Sequence, residues 1–404
     1  MPELSNRIRN VTADGSDGWE LHYRAQAMRR AGENVIMLSV GDHDIKTDRE
    51  VLQAMQASAE GGNLGYTPVP GSRALRQAIA DRVTRRTATP AGPENVIVTS
   101  GGQGAIFAAM TAALDPGDAC VLLDPFYASF DVTVRAVAAE PIVVPTRADD
   151  GFQPDAAAIE AALTPRTRAI LINTPNNPTG AVYTRERLEA VAELCVSHDL
   201  WLISDELYDS QVHDGTHVSP RDMPGMAERT FQIGSMSKGY AMTGARCGWA
   251  VAPEDTVAKL IDLAGATTYG LPGFIMDAAS FALTEYPQQE AEVAARYKRR
   301  RDLCVAELSG QPGLRVSPPE GGMYIMLDVR ETGLSGDAFG NLLLDEEKIG
   351  VMPGESFGQA AAGHIRIAMT VADEALEDAM HRIAGLAARL TRDKVRAAQG
   401  IAAR

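Results

Sequence analysis

The sequence predicts an α/β protein: a large, mostly parallel β-sheet covered by helices on both faces, with a smaller α+β domain after it. Three observations lead there. From about Asp48, short runs rich in Val, Ile and Leu alternate with helix-length stretches, the pattern of strands buried on both faces. That alternation stops after Pro287, where a long charged helical stretch begins. The chain has 404 residues, more than one small core holds. The expected division is an N-terminal arm over 1–47 that joins the smaller domain, a large domain over 48–287, and a small C-terminal domain over 288–404.

Taken in order, Trp19, Tyr23 and Ala27 recur at helical spacing, and Arg29-Arg30 close that helix before Gly32. Val35–Val40 reads as a short strand running into a turn at Gly41. Strands are expected at Val96–Thr99, Ala119–Leu123, Pro141–Val144, Arg168–Ile172, Leu200–Ser204, Thr230–Ile233 and Cys247–Val251. Helices are expected between them from Gly101 to Leu114, Ser129 to Ala138, Pro154 to Leu163 and Thr184 to Ser197. The Gln288–Leu308 helix carries Arg296, Lys298, Arg299, Arg300 and Arg301, and reads as a solvated face linking two domains. Strands at Leu314–Val316, Met323–Val329 and His364–Ala368, with helices at Gly336–Leu344 and Asp373–Leu390, complete the smaller unit.

Composition narrows the function. The formal net charge of -15 disfavours nucleic acid or an anionic membrane as a main partner. Cys120, Cys195, Cys247 and Cys304 lie far apart without a C-x-x-C pair, so zinc-finger spacing is absent and reduced, buried thiols in the cytoplasm are expected. The polar start lacks the apolar stretch of a secretory leader. Apolar runs such as Ala105–Leu114 fall far short of the ~20 residues that span a bilayer.

Lysine is scarce (Lys46, Lys238, Lys259, Lys298, Lys348 and Lys394) while arginine is abundant. Lys238 sits in the small-residue run Ser235-Met236-Ser237-Lys238-Gly239. A primary amine in that setting can form a Schiff base with an aldehyde, which arginine cannot; a surface lysine in a Ser/Gly loop is the plainer alternative. Ser235, Ser237 and Arg246 together offer two hydroxyls and a guanidinium to a phosphate. Gly101-Gly102-Gln103-Gly104 follows a strand and opens a helix, whose free N–H groups suit the phosphate's other side. The run Asn173 to Gly180 (Asn-Thr-Pro-Asn-Asn-Pro-Thr-Gly) can present Asn177 at the sheet's carboxyl edge. In Ser204-Asp205-Glu206-Leu207-Tyr208 an acid could pair with a pyridinium nitrogen and a phenol with a phenolic oxygen. Asp205 could equally be a helix N-cap.

The joint order of these motifs, closed by Arg246-Cys247-Gly248-Trp249, resembles the fold-type I pyridoxal-phosphate enzymes, specifically the class I and II aminotransferases, over nearly the whole chain. The resemblance implies a seven-stranded large-domain sheet and pyridoxal 5'-phosphate as cofactor. Lys238 would hold the cofactor covalently, and Asp205 would pair with its ring nitrogen. Asn177 and Tyr208 would bond its 3-hydroxyl oxygen. Gly102, Gln103, Ser235, Ser237 and Arg246 would bind its phosphate, and Tyr127 would stack on the ring. Arg366 in His364-Ile365-Arg366-Ile367 would grip the substrate carboxylate beside Gly41. Tyr66 would reach the phosphate in a neighbouring subunit, implying a homodimer. The reaction implied moves an amino group from an L-amino acid to a 2-oxo acid, without nucleic acid, membrane or metal.

Departures from the pattern bear on the donor. Gln103 stands where one aspartate-specific branch has lysine, and Thr267–Ala279 contains no Arg or Lys, so aspartate is disfavoured. Segments such as Trp19-Glu20, His198-Asp199-Leu200-Trp201 and Ala241-Met242-Thr243-Gly244 resemble the arginine–pyruvate transaminases. Asp14, Asp17 and Glu20 could face a cationic donor, though a solvated arm is the plainer reading. His43 replaces the usual proline in Gly41-Asp42-His43-Asp44, which leaves the rigidity of that loop open. Rival readings are a β-lyase on the same cofactor, an aspartate or aromatic aminotransferase, and a regulator. The last would need an appended basic module, and only a short acidic arm precedes the motifs.

Overall fold

In the computed structural model, which describes residues 2–12 and 19–399, the alternating runs pair into one seven-stranded sheet. Asp14 and Asp17 lie outside the described residues. The strands in chain order are β1 (Ile36–Met37), β2 (Val96–Ser100), β3 (Ala119–Asp124), β4 (Glu140–Pro145), β5 (Thr167–Asn173), β6 (Trp201–Asp205), β7 (Thr230–Ser235) and β8 (Cys247–Val251). The large sheet runs β2-β8-β7-β6-β5-β3-β4. All its pairings are parallel except those of β8, which is antiparallel to both neighbours. Met236–Arg246, which joins β7 to β8, is shorter than the roughly dozen residues a parallel crossover needs. Two apolar clusters lie on either side of the sheet. One packs Ile97, Leu122, Leu171 and Ile203 against the Gly101–Ala113 helix, and the other packs Val121, Ile170 and Leu202 against Arg185–Ser197.

Beyond the large sheet come β9 (Arg315–Val316), β10 (Tyr324–Asp328), β11 (Ile349–Gly350), β12 (Met352–Pro353) and β13 (His364–Ala368). They form a four-stranded antiparallel sheet, β12-β13-β10-β9, and a two-residue ladder in which β11 runs parallel to β1. That ladder ties the N-terminal arm to the C-terminal region. The helix Asp373–Ala398 buries Leu376, Met380 and Ile383 in the cluster that holds Ile325 and Ile367.

Four expectations change. The arm helix, Glu20–Arg30, buries Leu21, His22 and Ala25, whereas Tyr23 is 51% exposed. The i, i+4 pair Leu21/Ala25 meets Val35 and Leu344, and this small cluster sets the helix's rotation. The strand expected over Val35–Val40 shrinks to two residues because its partner β11 is equally short. The charged face of Gln289–Leu308 is not uniformly solvated, since Arg300 and Arg301 are buried. Arg300 is satisfied by Asp44 at 2.7 Å and Asp373 at 2.7 Å, and Arg301 donates to Asp214 at 2.6 Å; a buried guanidinium requires such partners. Finally, Arg49–Glu60, Arg73–Arg86, Glu254–Gly265 and Gly273–Glu285 are helices with no counterpart among the expected elements. In Arg73–Arg86 the inward residue Arg82 breaks the apolar stripe, being buried by ion pairs to Asp209 and Glu290.

Candidate active site

A cavity of about 430 Å³ opens where β5, β6 and β7 end, the edge at which open α/β sheets take ligands. It brings together Gly41, Gly102, Gln103, Tyr127, Asn177, Asp205, Tyr208, Ser237, Lys238, Arg246 and Arg366. Ser235 and Tyr66 do not line it. Ser235 sits one layer behind, where its hydroxyl caps the Met236–Gly239 turn by accepting from the Ser237 N–H at 3.0 Å and meets the Ser237 hydroxyl at 2.9 Å. Tyr66 is 94% exposed, its ring edge-on to Tyr269.

Lys238 leaves its turn toward the cavity, and its Nζ donates to the Gly41 carbonyl at 2.5 Å. The adjacent acids Asp205 and Glu206 are treated oppositely. Glu206 is saturated: Ser204, Ser219 and Gln232 donate to it, and His217 lies 2.9 Å away. The Asp205 carboxylate accepts only from the Leu207 N–H at 3.1 Å, among the described residues. No helix follows Asp205 for it to cap. Burial, with the Glu206 charge adding, pushes its pKa up to about 7 despite the opposing Leu207 bond and Lys238 charge. A buried carboxylate left with so little support calls for a cation in the cavity.

Asn173 holds the neighbouring loop. It donates to the Asp205 carbonyl at 3.0 Å and accepts from the Asn177 N–H at 2.6 Å. The Asn177 side-chain oxygen accepts from Arg366 at 3.0 Å, which directs its amide N–H groups elsewhere. Tyr208 meets the Tyr324 hydroxyl at 3.0 Å, and burial raises its pKa.

At the other end, Gly101 has φ +73, and a Cβ there would strike the Arg246 guanidinium. Arg246 itself has φ +52, a left-handed conformation costly for a side chain that large. A Cβ at Gly248 would strike the Gly101–Gly102 backbone. These close approaches set the first-turn N–H groups of the thirteen-residue Gly101–Ala113 helix opposite Arg246 and Ser237, a cradle with the donors and field an anion needs. The Gln103 side chain is engaged elsewhere, donating to Thr133 at 2.8 Å and accepting from Ser129 at 2.9 Å.

Arg366 is 1% exposed, with its guanidinium carbon 4.5 Å from both the Tyr324 and Phe357 ring centroids. It donates to Asn177 and the Ser39 carbonyl, while its Nε is buried without a partner. Burial lowers its pKa from the ordinary guanidinium value. An unpaired buried donor beside the cavity fits an anionic ligand group. Tyr324, Asn173, Asp42 and Trp19 are site residues that sequence reasoning missed. A Cβ at Gly41 would collide with the Tyr324 hydroxyl, so the Gly-Gly before Met323-Tyr324 and the glycine at 41 were the available signals.

The weakly supported Asp205 carboxylate, the glycine cradle and the open Nε of Arg366 fit an aromatic cationic cofactor bearing a phosphate, with an anionic substrate group beside it. This is the site of a pyridoxal-phosphate enzyme of fold type I. The aminotransferase class I and II family profile matches residues 33–383. The chain is 45% identical to the arginine–pyruvate transaminase of Pseudomonas aeruginosa over 96% of its length and 98% of that protein's. It is 35% identical to the aspartate/prephenate aminotransferase of Thermus thermophilus over 95% of this chain and 98% of that one. The solved aspartate aminotransferase from Thermus thermophilus with maleate superimposes with a TM-score of 0.90 at 34% identity, covering 96% of this chain and all of that one. The chain belongs to the class I and II aminotransferases and is a pyridoxal-phosphate-dependent enzyme acting on amino and 2-oxo acids.

Proposed function

We propose that this enzyme transfers the amino group of a non-acidic L-amino acid, arginine first among them, to pyruvate. One observation carries the choice of donor. Of the basic groups lining the cavity, Lys238 is bonded to Gly41, Arg246 to Thr243, and Arg366 to Asn177 and Ser39. Among the described residues of one chain, no basic side chain remains to take a donor's side-chain carboxylate. Gln103 is tied to Thr133 and Ser129, and the exposed carboxylate at the rim is Asp42. The 45% identical relative's name, arginine–pyruvate transaminase, supports the same donor and acceptor.

The residues divide the work. Bound pyridoxal phosphate supplies an electron sink next to the substrate's Cα. Asp205 would hold the ring nitrogen's proton, and Asn177 and Tyr208 would bond the ring oxygen. Gly102, Gln103, Ser237 and Arg246 would bind the phosphate, with Ser235 bracing Ser237. Tyr127 would cover the ring, and Arg366 would clamp the α-carboxylate. The Lys238 amine, once free, would move the proton at substrate Cα. The exposure of Tyr66 supports a homodimer in which it serves the neighbouring site. The β1–β11 ladder supports grouping residues 1–47 with 288–404, apart from 48–287. The four unpaired thiols are what a reducing compartment leaves, which supports a cytoplasmic location.

A panel of amino donors against pyruvate and 2-oxoglutarate tests the reading. Arginine should exceed aspartate in kcat/KM by ~10-fold or more, the cost of leaving a carboxylate without a buried partner. Aspartate or glutamate leading the panel would overturn it. Arg366→Lys should raise donor KM by ~10²-fold with a smaller change in kcat, because a point charge replaces a bidentate fork. An unchanged KM would remove Arg366 from the carboxylate site.

A further inference from the structure

The segment 39–44 crosses the mouth of the cavity as a strap, and every residue in it is tied. Ser39 O accepts from Arg366, Val40 O from Thr370 and Gly41 O from Lys238, while the Asp42 carboxylate accepts from Thr243. Asp44 is gripped by Arg300 through two bonds, at 2.8 and 2.7 Å. Between them stands His43, where the family pattern has proline. Its Nε2 lies 3.1 Å from the Ser237 carbonyl and its Nδ1 2.8 Å from the Tyr297 hydroxyl.

The chemistry of these partners fixes the ring's protonation. A carbonyl oxygen only accepts, so Nε2 carries the hydrogen. Nδ1 then accepts, and the Tyr297 hydroxyl donates to it. Burial and the Lys238 charge, opposed by Asp42 and Asp44, lower the imidazole's pKa to about 4, so the ring is neutral near pH 7. The imidazole is thus the middle of a bridge from the Gln289–Leu308 helix, which carries Tyr297, to the carbonyl directly preceding Lys238. Proline stiffens a loop by locking its own φ and has no side-chain donor or acceptor. Histidine here does by hydrogen bonding what proline cannot: it joins the strap to the lysine-bearing turn.

We propose that His43 is a positioning residue for the amino-acid end of the site, fastening the strap that holds Lys238 through the Gly41 carbonyl and Arg366 through the Ser39 carbonyl to the Ser237–Lys238 turn. The inference rests on the roles proposed above for Lys238 and Arg366. It predicts that loosening His43 disturbs substrate binding more than the chemical step, since the carboxylate clamp Arg366 is held by the strap's Ser39 carbonyl.

The test compares His43→Ala, His43→Gln and Tyr297→Phe with the wild type in two readouts. One is the KM and kcat for the amino donor. The other is amide hydrogen exchange of residues 40–44 in the cofactor-free protein. His43→Ala should raise KM ~10-fold, as expected for losing a half-buried two-bond bridge, with a smaller change in kcat. Exchange in 40–44 should quicken while that of the large sheet stays unchanged. His43→Gln, whose side-chain N–H₂ can replace the Nε2 donor, should recover most of both. Tyr297→Phe should move both the same way by less. Unchanged KM and exchange in His43→Ala would overturn the proposal, as would a loss that His43→Gln does not recover. If His43→Ala does not fold, a Tyr297→Phe protein identical to wild type in both readouts overturns it. Failure of the parent reading is separable: it shows as a wild type that does not hold the cofactor on Lys238, whereas the exchange measurement needs no cofactor.

Discussion

Lys238→Ala should lose the covalently held cofactor and nearly all transfer activity. Removing the proton-transferring amine alone costs roughly 10²–10⁴-fold, and the loss of the covalent link adds to it. The geometry leaves no substitute: Lys46, Lys259, Lys298, Lys348 and Lys394 do not line the cavity. The wild type with pyridoxal phosphate should absorb in the near-visible range, and borohydride should fix the cofactor on Lys238. A borohydride-stable adduct persisting in Lys238→Ala would sink the assignment. The same variant tests the role of Tyr66. Mixed and reassembled with Tyr66→Phe, it should regain activity, because a hybrid dimer holds one site with both an intact Lys238 and an intact Tyr66. Activity no greater than that of the separate variants would remove Tyr66 from the neighbour's site.

Asp205→Asn should have opposite effects on activity and on the stability of the cofactor-free chain. Activity should fall by roughly 10²-fold or more, since a neutral amide cannot hold a cationic ring nitrogen as a carboxylate does. Stability should rise. The Asp205 pKa of about 7 lies above its unfolded value near 3.8. Between about pH 4 and 7 the folded chain therefore binds a proton that the unfolded chain has released, and stability falls as pH rises through that window. At about pH 8 the wild type carries the full burden of a buried, poorly supported carboxylate. Three pKa units correspond to about 4 kcal/mol as an upper bound. Cofactor-free Asp205→Asn should thus melt above cofactor-free wild type at about pH 8, with the gap closing toward pH 4. Its amide oxygen can still accept from Leu207, so no hydrogen bond is lost. A variant that melts lower than wild type across this range would show that Asp205 is supported by something other than a cavity cation.

Much of the site was legible before any fold was known because its motifs follow strand ends. Asn173 closes β5, Asp205 closes β6 and Ser235 closes β7. Each parallel strand thus brings its trailing residues to the same edge, and the Val/Ile/Leu runs that identify the strands also locate the chemistry. Ser235 marks where such reasoning stops. Motif spacing cannot tell a hydroxyl that lines the cavity from one that caps the turn behind it, and the structure places Ser237 in the cavity and Ser235 behind it. Tyr324 was invisible for a related reason. It lies on β10, far along the chain, and reaches the site only because β10 pairs with β13, which carries Arg366.

By itself the sequence determined the mostly parallel sheet, the lysine, its acid and amide companions, and the arginine that lines the same cavity. These follow from local patterning and from which residue types can do the chemistry. The tertiary structure alone decided which of two adjacent acids remains open. Glu206 is saturated by donors from β6, β7 and the 217–219 segment, while Asp205 is left to the cavity. It alone showed that Arg300 and Arg301 are buried, not solvated, and that His43 bridges a helix to the lysine turn. Each depends on partners brought together from distant positions, and a charge or a hydrogen-bonding group takes its meaning from the partner it finds after the chain has packed.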